Sequence, residues 1–327
     1  MSSKKKNIAI VAGGNSSEYG ISVKSAEMVY GEIDRERYNP YLVHIKGHEW
    51  TVQGSTIETA VNRENFSFVM DGEFVHIDCA VILIHGTPGE NGLLQAYFDL
   101  LHIPYTTCDV LTSSLTFNKY FCKNYLLPYN IDTADSVLIR QGEPYSVDDI
   151  ISEVGLPCFI KPNNSGSSYG VSKLVDKKDV EDHIAGAFKE DDEVIIEGFI
   201  KGTEITCGTL KLDNEVTTLP ITEIVSKNDF FDYEAKYQGK SEEITPARIP
   251  ADVEKACRET SVKIYKALNC NGIVRIDYIV SDGKLYFLEV NTVPGMSRES
   301  IIPQQIRTAG MTVKDVYSKL IDAAMGY

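Results

Sequence analysis

The sequence predicts an α/β protein in which a Rossmann-like unit is followed by two α+β units. Three observations point there. Residues 8–12 (IAIVA) are a continuous apolar run that enters the glycine-rich turn GGNSSEYG and then a helical spacing from Ser22 to Ile33. A second apolar run, AVILIHG at 80–86, leads through the loop TPGEN into the helix GLLQAYFDLL. Beyond Pro128 this alternation stops, and strands gather around single helices.

Each element has a local cause. An unbroken apolar run such as IAIVA suits a strand covered on both faces, as in a parallel sheet. Val23, Ala26, Val29, Tyr30 and Ile33 recur at helical spacing behind it. Strands alternating with helices predict a parallel sheet with ligands at its carboxyl edge. The turn GGNSSEYG does not match GxGxxG, so the dinucleotide fingerprint is absent. After IPYTT, the stretch SSLTFNKYFCKNYLL reads as one helix, and Pro128 marks a change of unit. The strands DSVLIR, CFIKP, VSKLV and EVIIEGF then surround the helix DVEDHIAGAFK. The last region holds the strands TCGTLKL and VTTLPITEI, the segment FFDYEAKY, a helix over 251–268, a hairpin and a terminal helix from Thr312. The divisions expected are 1–117, 118–205 and 206–327.

Composition sets the function classes. The chain is 43% apolar and 24% charged, as a globular protein is. Its formal net charge of -15 argues against nucleic acid or an anionic membrane as partner. Phosphates would therefore need a local cluster of Lys and Arg. Seven scattered cysteines without CxxC spacing read as reduced, buried thiols. The apolar run after MSSKKKN is five residues long, too short for a signal-peptide core, so a cytoplasmic protein is expected.

The stretch RIDYIVSDGKLYFLEVN, 275–291, sets Arg275, Asp277, Glu289 and Asn291 into two otherwise apolar strands. A three-residue loop at Ser281, Asp282 and Gly283 would put position 280 opposite 284. Arg275 then faces Glu289, Asp277 faces Phe287, and all four polar groups converge on one face beside Ile273, Ile279 and Leu285. A two-residue Asp-Gly turn would shift the register by one and mix polar and apolar residues on both faces. The plain alternative is a wet outer face with one ion pair. Two carboxylates and an amide oxygen between apolar walls also form an all-oxygen set suited to Mg²⁺.

The stretch CFIKPNNSGSSYGVSKLV places Lys161 at the end of a strand, before a loop rich in Asn, Ser and Gly. It is not a P-loop, because the lysine precedes the glycines and a strand follows. Such a loop can fold over phosphates through its N–H and hydroxyl donors, or be a plain surface hairpin. Glu197 and Glu204 flank a segment able to hold adenine and ribose, and Lys119 and Lys236 are further phosphate candidates.

At this point a resemblance becomes specific. SSEYGISVKSA, HGTPGENGLLQ, KPNNSGSSYGVSK, FFDYEAKY, GIVRIDY and LEVNTVPGMSRESIIP look like the successive motifs of the D-alanine–D-alanine ligase family, within the ATP-grasp superfamily. The match runs in order over almost the whole chain. It implies an ATP-grasp fold: a Rossmann-like N-terminal domain and two α+β domains that sandwich ATP. The implied chemistry is ATP-dependent ligation of two D-alanines through an acyl phosphate, for peptidoglycan precursors. The resemblance also implies a homodimer.

By motif matching, Lys119 and Lys161 would hold ATP phosphates, Lys236 the γ-phosphate, and Glu197 and Glu204 adenine and ribose. Asp277, Glu289 and Asn291 would hold two Mg²⁺ ions, with Mn²⁺ as a substitute. Arg275 and the N–H of Gly295 would stabilise the oxyanion. Glu18 and His85 would receive the first D-alanine, Ser300 the carboxylate of the second, and Ser167 and Tyr237 would link to Glu18 as the loops close. The sequence departs from the family's usual residues at Asn118, at Gly198, in the loop NNSGSSYG and at Arg298-Glu299. Within the same enzyme class, D-lactate or D-serine as second substrate would give an alternative product, and a catalytically silent homologue is the alternative outside it.

Overall fold

The computed structural model describes residues 5–54, 58–166, 170–226 and 241–326. Three sheets organise them. The first is built on β1 (Lys6–Gly13), α1 (Tyr19–Glu32), β2 (Tyr38–Lys46), β3 (Glu49–Val52), β4 (Thr59–Ala60) and β7 (Cys79–Ile82), in the order β4-β3-β2-β1-β7. β5 (Phe68–Met70) and β6 (Glu73–Val75) form a separate hairpin. β1 runs parallel to both neighbours, as the two strand–helix units require, while β3 and β4 add an antiparallel edge. Every residue of IAIVA is buried. Ile8 and Ile10 enter the core beneath α1, and Ala9 and Val11 enter the opposite core with Phe66 and Phe98.

Three helices follow: α2 (Leu93–Leu100), α3 (Val110–Phe117) and α4 (Lys119–Leu126). The single helix expected over 113–127 is thus two. Asn118 adopts an extended backbone (φ -86°, ψ 102°), and its side chain accepts from Phe121 N–H to cap α4. A capping residue is worth more at a helix start than inside one, so the chain breaks there.

The second sheet is antiparallel, in the order β10 (Ser172–Leu174), β9 (Cys158–Pro162), β11 (Glu193–Gly198), β8 (Ser136–Arg140), with α5 (Val147–Val154) and α6 (Val180–Ala187) closing its core. The third carries β15 (Ser241–Ile244), β14 (Thr222–Ser226), β12 (Thr203–Leu212), β16 (Ile273–Ser281) and β17 (Lys284–Asn291), with β13 (Glu215–Thr218) also on β12. The expected strand VTTLPITEI divides into β13 and β14 around Pro220, which has no N–H for a ladder. The helix α7 (Ala251–Ala267) packs under the third sheet through Cys257, Ile264 and Tyr265. The chain finishes with α8 (Ile301–Thr308) and α9 (Val313–Met325). Val316, Leu320 and Ile321 of α9 share a core with Ile8, Ile10 and Val81, so the end of the chain packs against its first sheet. No described helix is long and apolar enough to cross a membrane.

Candidate active site

The ends of β1 and β7, the second sheet and one face of the third enclose a cavity of about 1040 Å³. Glu18, His85, Lys119, Lys161, Glu197, Glu204, Arg275, Asp277, Glu289, Asn291, Gly295 and Ser300 line it. Ser167, Lys236 and Tyr237 lie outside the described residues, as does FFDYEAKY.

The floor is the β16–β17 hairpin, and its register differs from the expected one. The turn uses two residues, Asp282 and Gly283, both at positive φ (49° and 76°). Ser281 therefore pairs with Lys284, and Tyr278 with Phe287. An unbroken ladder in that register would carry Glu289 and Asn291 to the core face. Leu288 is an extra residue between the Tyr278–Phe287 and Asp277–Glu289 pairs, and this bulge returns both polar side chains to the cavity. Phe287, expected on the polar face, instead packs edge-to-face on Tyr278 in the core.

Arg275 faces Asn291 across the ladder, not Glu289, and bonds Asp277 on its own strand (Nε–Oδ1 2.9 Å, Nη2–Oδ2 2.8 Å). Thr206 Oγ1 donates to Asp277 Oδ1 at 2.5 Å, and Asn291 Nδ2 donates to Oδ2 at 3.0 Å. Gln305 of α8 steadies this layer by donating to Thr206 O (3.1 Å) and Thr222 Oγ1 (3.0 Å) while accepting from Gly208 N (3.0 Å). Asp277, Glu289 and the amide oxygen of Asn291 are hard oxygen donors, an arrangement that fits Mg²⁺ or Mn²⁺ completed by phosphate oxygens. Among the described residues no group of three or more His, Cys, Asp and Glu could hold a metal by itself.

The facing wall is cationic. Phe159, Lys161 and Glu197 share one face of β9 and β11. Glu197 is buried, and each of its oxygens meets a lysine: Oε1 meets Lys123 Nζ and Oε2 meets Lys161 Nζ. Burial alone would push its carboxyl up, but Lys161 and Lys123 outweigh it and hold the pKa at about 2. Lys119 Nζ bonds Ser165 O and stands 3.8 Å from Glu289 Oε2, between wall and floor. Asn163 accepts from Lys119 N and Tyr120 N, which ties the start of α4 to the loop after β9.

The third side joins the first sheet to the segment after β17. His85 is buried, and burial, the largest influence, pulls its pKa down despite nearby Glu18. A neutral ring with Nδ1–H donating to Val293 O (2.8 Å) leaves Nε2 to face Ser25 Oγ at 3.4 Å. Ser25 Oγ in turn accepts from Met296 N at 3.0 Å. Glu90 accepts from Gly86 N (2.7 Å) and Val293 N (3.3 Å), and burial followed by the charge of Glu18 raises its pKa to about 8. Gly166 lies against Glu18: a Cβ there would stand 2.7 Å from Glu18 Oε2. At the other end Ser300 Oγ is 2.7 Å from Ser297 Oγ, and a Cβ on Gly295 would meet it at 3.0 Å.

Among the residues of this arrangement that the sequence reading missed, Lys123 and Glu90 are ionisable. Lys123 had a legible signal, since Lys119, Cys122, Lys123 and Leu126 follow helical spacing and the last three are buried. Glu90 had none, because the loop PGEN reads as an ordinary turn.

The comparisons with known proteins agree across the chain. The family described as D-ala D-ala ligase N-terminus matches residues 7–108, and D-ala D-ala ligase C-terminus matches 130–322. The chain is 52% identical over 322 residues to the D-alanine–D-alanine ligase of Phocaeicola vulgatus, covering 97% of this chain and 99% of that one. It is 46% identical over 321 residues to that of Flavobacterium johnsoniae, covering 98% and 99%. Among solved structures, the VanG D-Ala:D-Ser ligase of Enterococcus faecalis superposes with TM-score 0.87 at 32% identity, over 97% and 99% of the two chains. The D-alanine–D-alanine ligase of Bacillus anthracis complexed with ATP does so with TM-score 0.78 at 27% identity, over 98% and 97%.

Proposed function

The chain belongs to the D-alanine–D-alanine ligase family, and on that premise we propose that it joins two D-alanines at the expense of ATP, for peptidoglycan precursors. The observation that carries the reading is the pairing across one cavity of a lysine wall with an oxygen-rich floor, closed on the third side by Glu18 and His85. That arrangement suits a triphosphate lying between the second and third sheets.

In this reading the adenine lies beside Phe159, Ile279 and Leu288, with Glu197 and Glu204 as acceptors for base and ribose. Lys119 and Lys161 take the phosphates, and Lys236 takes the γ-phosphate. Two Mg²⁺ ions, or Mn²⁺, held by Asp277, Glu289 and Asn291 would offset phosphate charge. Glu18 receives the ammonium of the first D-alanine. A carboxylate oxygen of that substrate attacks the γ-phosphorus, the bond to the ADP oxygen breaks, and a D-alanyl phosphate results. The second D-alanine, its carboxylate on Ser300, loses a proton and its neutral amine attacks the acyl carbon. Arg275 and the N–H of Gly295 stabilise the oxyanion, which collapses and expels phosphate. A Ser167–Tyr237–Glu18 link would close the loops and keep water from the acyl phosphate.

Relatives near 50% identity named as D-alanine–D-alanine ligases outweigh the 32% likeness to a D-Ala:D-Ser ligase, so D-alanine is the second substrate. The domains are taken as 1–117, 118–205 and 206–327. A homodimer in the cytoplasm completes the reading, and the exposed Leu93, Leu100, Leu111 and Leu127 of the α2–α4 region offer it apolar surface. The test is a product assay with ATP, Mg²⁺ and D-alanine each omitted in turn. Phosphate and dipeptide should appear only with all three. ATP hydrolysis without D-alanine dependence, or a preference for D-serine over D-alanine, overturns the reading.

A further inference from the structure

Lys123 stands behind the nucleotide wall, 3% exposed, with Nζ donating to Ala134 O (2.9 Å) and to Glu197 Oε1. Glu197 thus meets two ammonium groups, one from the cavity side and one from behind. The two are not equivalent. Lys161 lines the cavity and can turn toward a phosphate, whereas Lys123 is held by the carbonyl of Ala134 as well.

A buried carboxylate stripped of its last counter-ion is costly, and it takes up a proton. With Lys161 as the only partner of Glu197, drawing it to the phosphates would leave such a carboxylate. The second lysine removes that conflict. We propose that Lys123 is a positioning residue for nucleotide selection: it holds Glu197 as an aimed carboxylate when Lys161 turns to the phosphates. The vacated Oε2 then accepts from the exocyclic amino group of a 6-aminopurine. A 6-oxopurine presents an acceptor at that position and meets the same oxygen unfavourably. This rests on the ligase reading only in placing the base at Glu197; its test reads nucleotide binding without turnover.

The experiment is titration calorimetry of ATP and ITP, with Mg²⁺ and without D-alanine, on the wild-type chain, Lys123→Met and Lys123→Arg. Wild type should prefer ATP. Lys123→Met should lose roughly 10- to 150-fold in ATP affinity, the range for a hydrogen bond to a charged group, with ITP changed by less than about 3-fold, while Lys123→Arg keeps most of the preference. Because Lys123→Met leaves a buried charge short of a partner, which works against folding, Lys123→Met/Glu197→Gln is measured beside it. That neutral pair should show the same flattened preference. Equal losses for both nucleotides, an undiminished preference in either folded variant, or no preference in wild type overturns the proposal. Dipeptide formation by the same wild-type sample tests the ligase reading separately.

Discussion

Asp277 and Glu289 stand opposite each other across the β16–β17 ladder, and they do so because Leu288 adds one residue to β17. The bulge sets the register on which the candidate metal floor depends. Asp277→Asn and Glu289→Gln should each abolish dipeptide formation in a folded protein, since each removes one charge without changing shape. Near-normal activity with ordinary Mg²⁺ dependence in either point variant would sink the shared-site assignment.

Arg275 grips Asp277 through two nitrogens, with both side chains largely buried. Arg275→Met should lower kcat on the order of 10²- to 10³-fold, as loss of one oxyanion donor does. It should also lower stability by ~3 to 5 kcal/mol, because Asp277 loses its cation. Stopped assays and urea unfolding measure the two effects, and a folded variant with unchanged kcat would reduce Arg275 to a structural ion pair.

Lys161→Ala should raise KM for ATP and leave KM for D-alanine within about 2-fold, since it deletes a phosphate contact worth roughly 1.5 to 3 kcal/mol. The protein should still fold, because Lys123 stays on Glu197. Steady-state kinetics with each substrate varied decides it, and a selective loss of D-alanine affinity would move Lys161 to the amino-acid end of the cavity.

Glu90 holds its proton in the folded chain up to about pH 8, while an unfolded chain releases it near pH 4 to 5. Between these values the folded state binds more protons, so this group's contribution to stability falls as pH rises and levels off above about 8. Glu90→Gln should start lower at pH 5, having lost one of two backbone N–H bonds worth about 1 kcal/mol, and should lose less Tm on going to pH 8. Calorimetric scans at pH 5, 6, 7 and 8 test this, and identical slopes for the two proteins would show that Glu90 does not titrate in that window.

Residue type and local period were enough to place the strands of IAIVA, CFIKP and EVIIEGF, the helix behind GGNSSEYG, and the chemical character of the hairpin. Those features depend on neighbours within a few residues. Apolar runs and alternation report burial directly, and four polar groups in an apolar hairpin announce a site whatever the register. Ordered motifs along the chain carried the family assignment.

What tertiary structure alone decided lies where two local choices cost nearly the same. Asp282-Gly283 and a three-residue loop are both good turns, and the choice went with Phe287, which gains a core place against Tyr278. The bulge at Leu288 then absorbs the shift. Asn118 could continue a helix or cap one, and the capping side chain also donates to Glu193, 75 residues away. Lys123 looks like any helix lysine until Glu197, 74 residues on, arrives beside it. A buried charge is tolerated only with its partner in place, and a partner that far along the chain is chosen by packing, which no local period records.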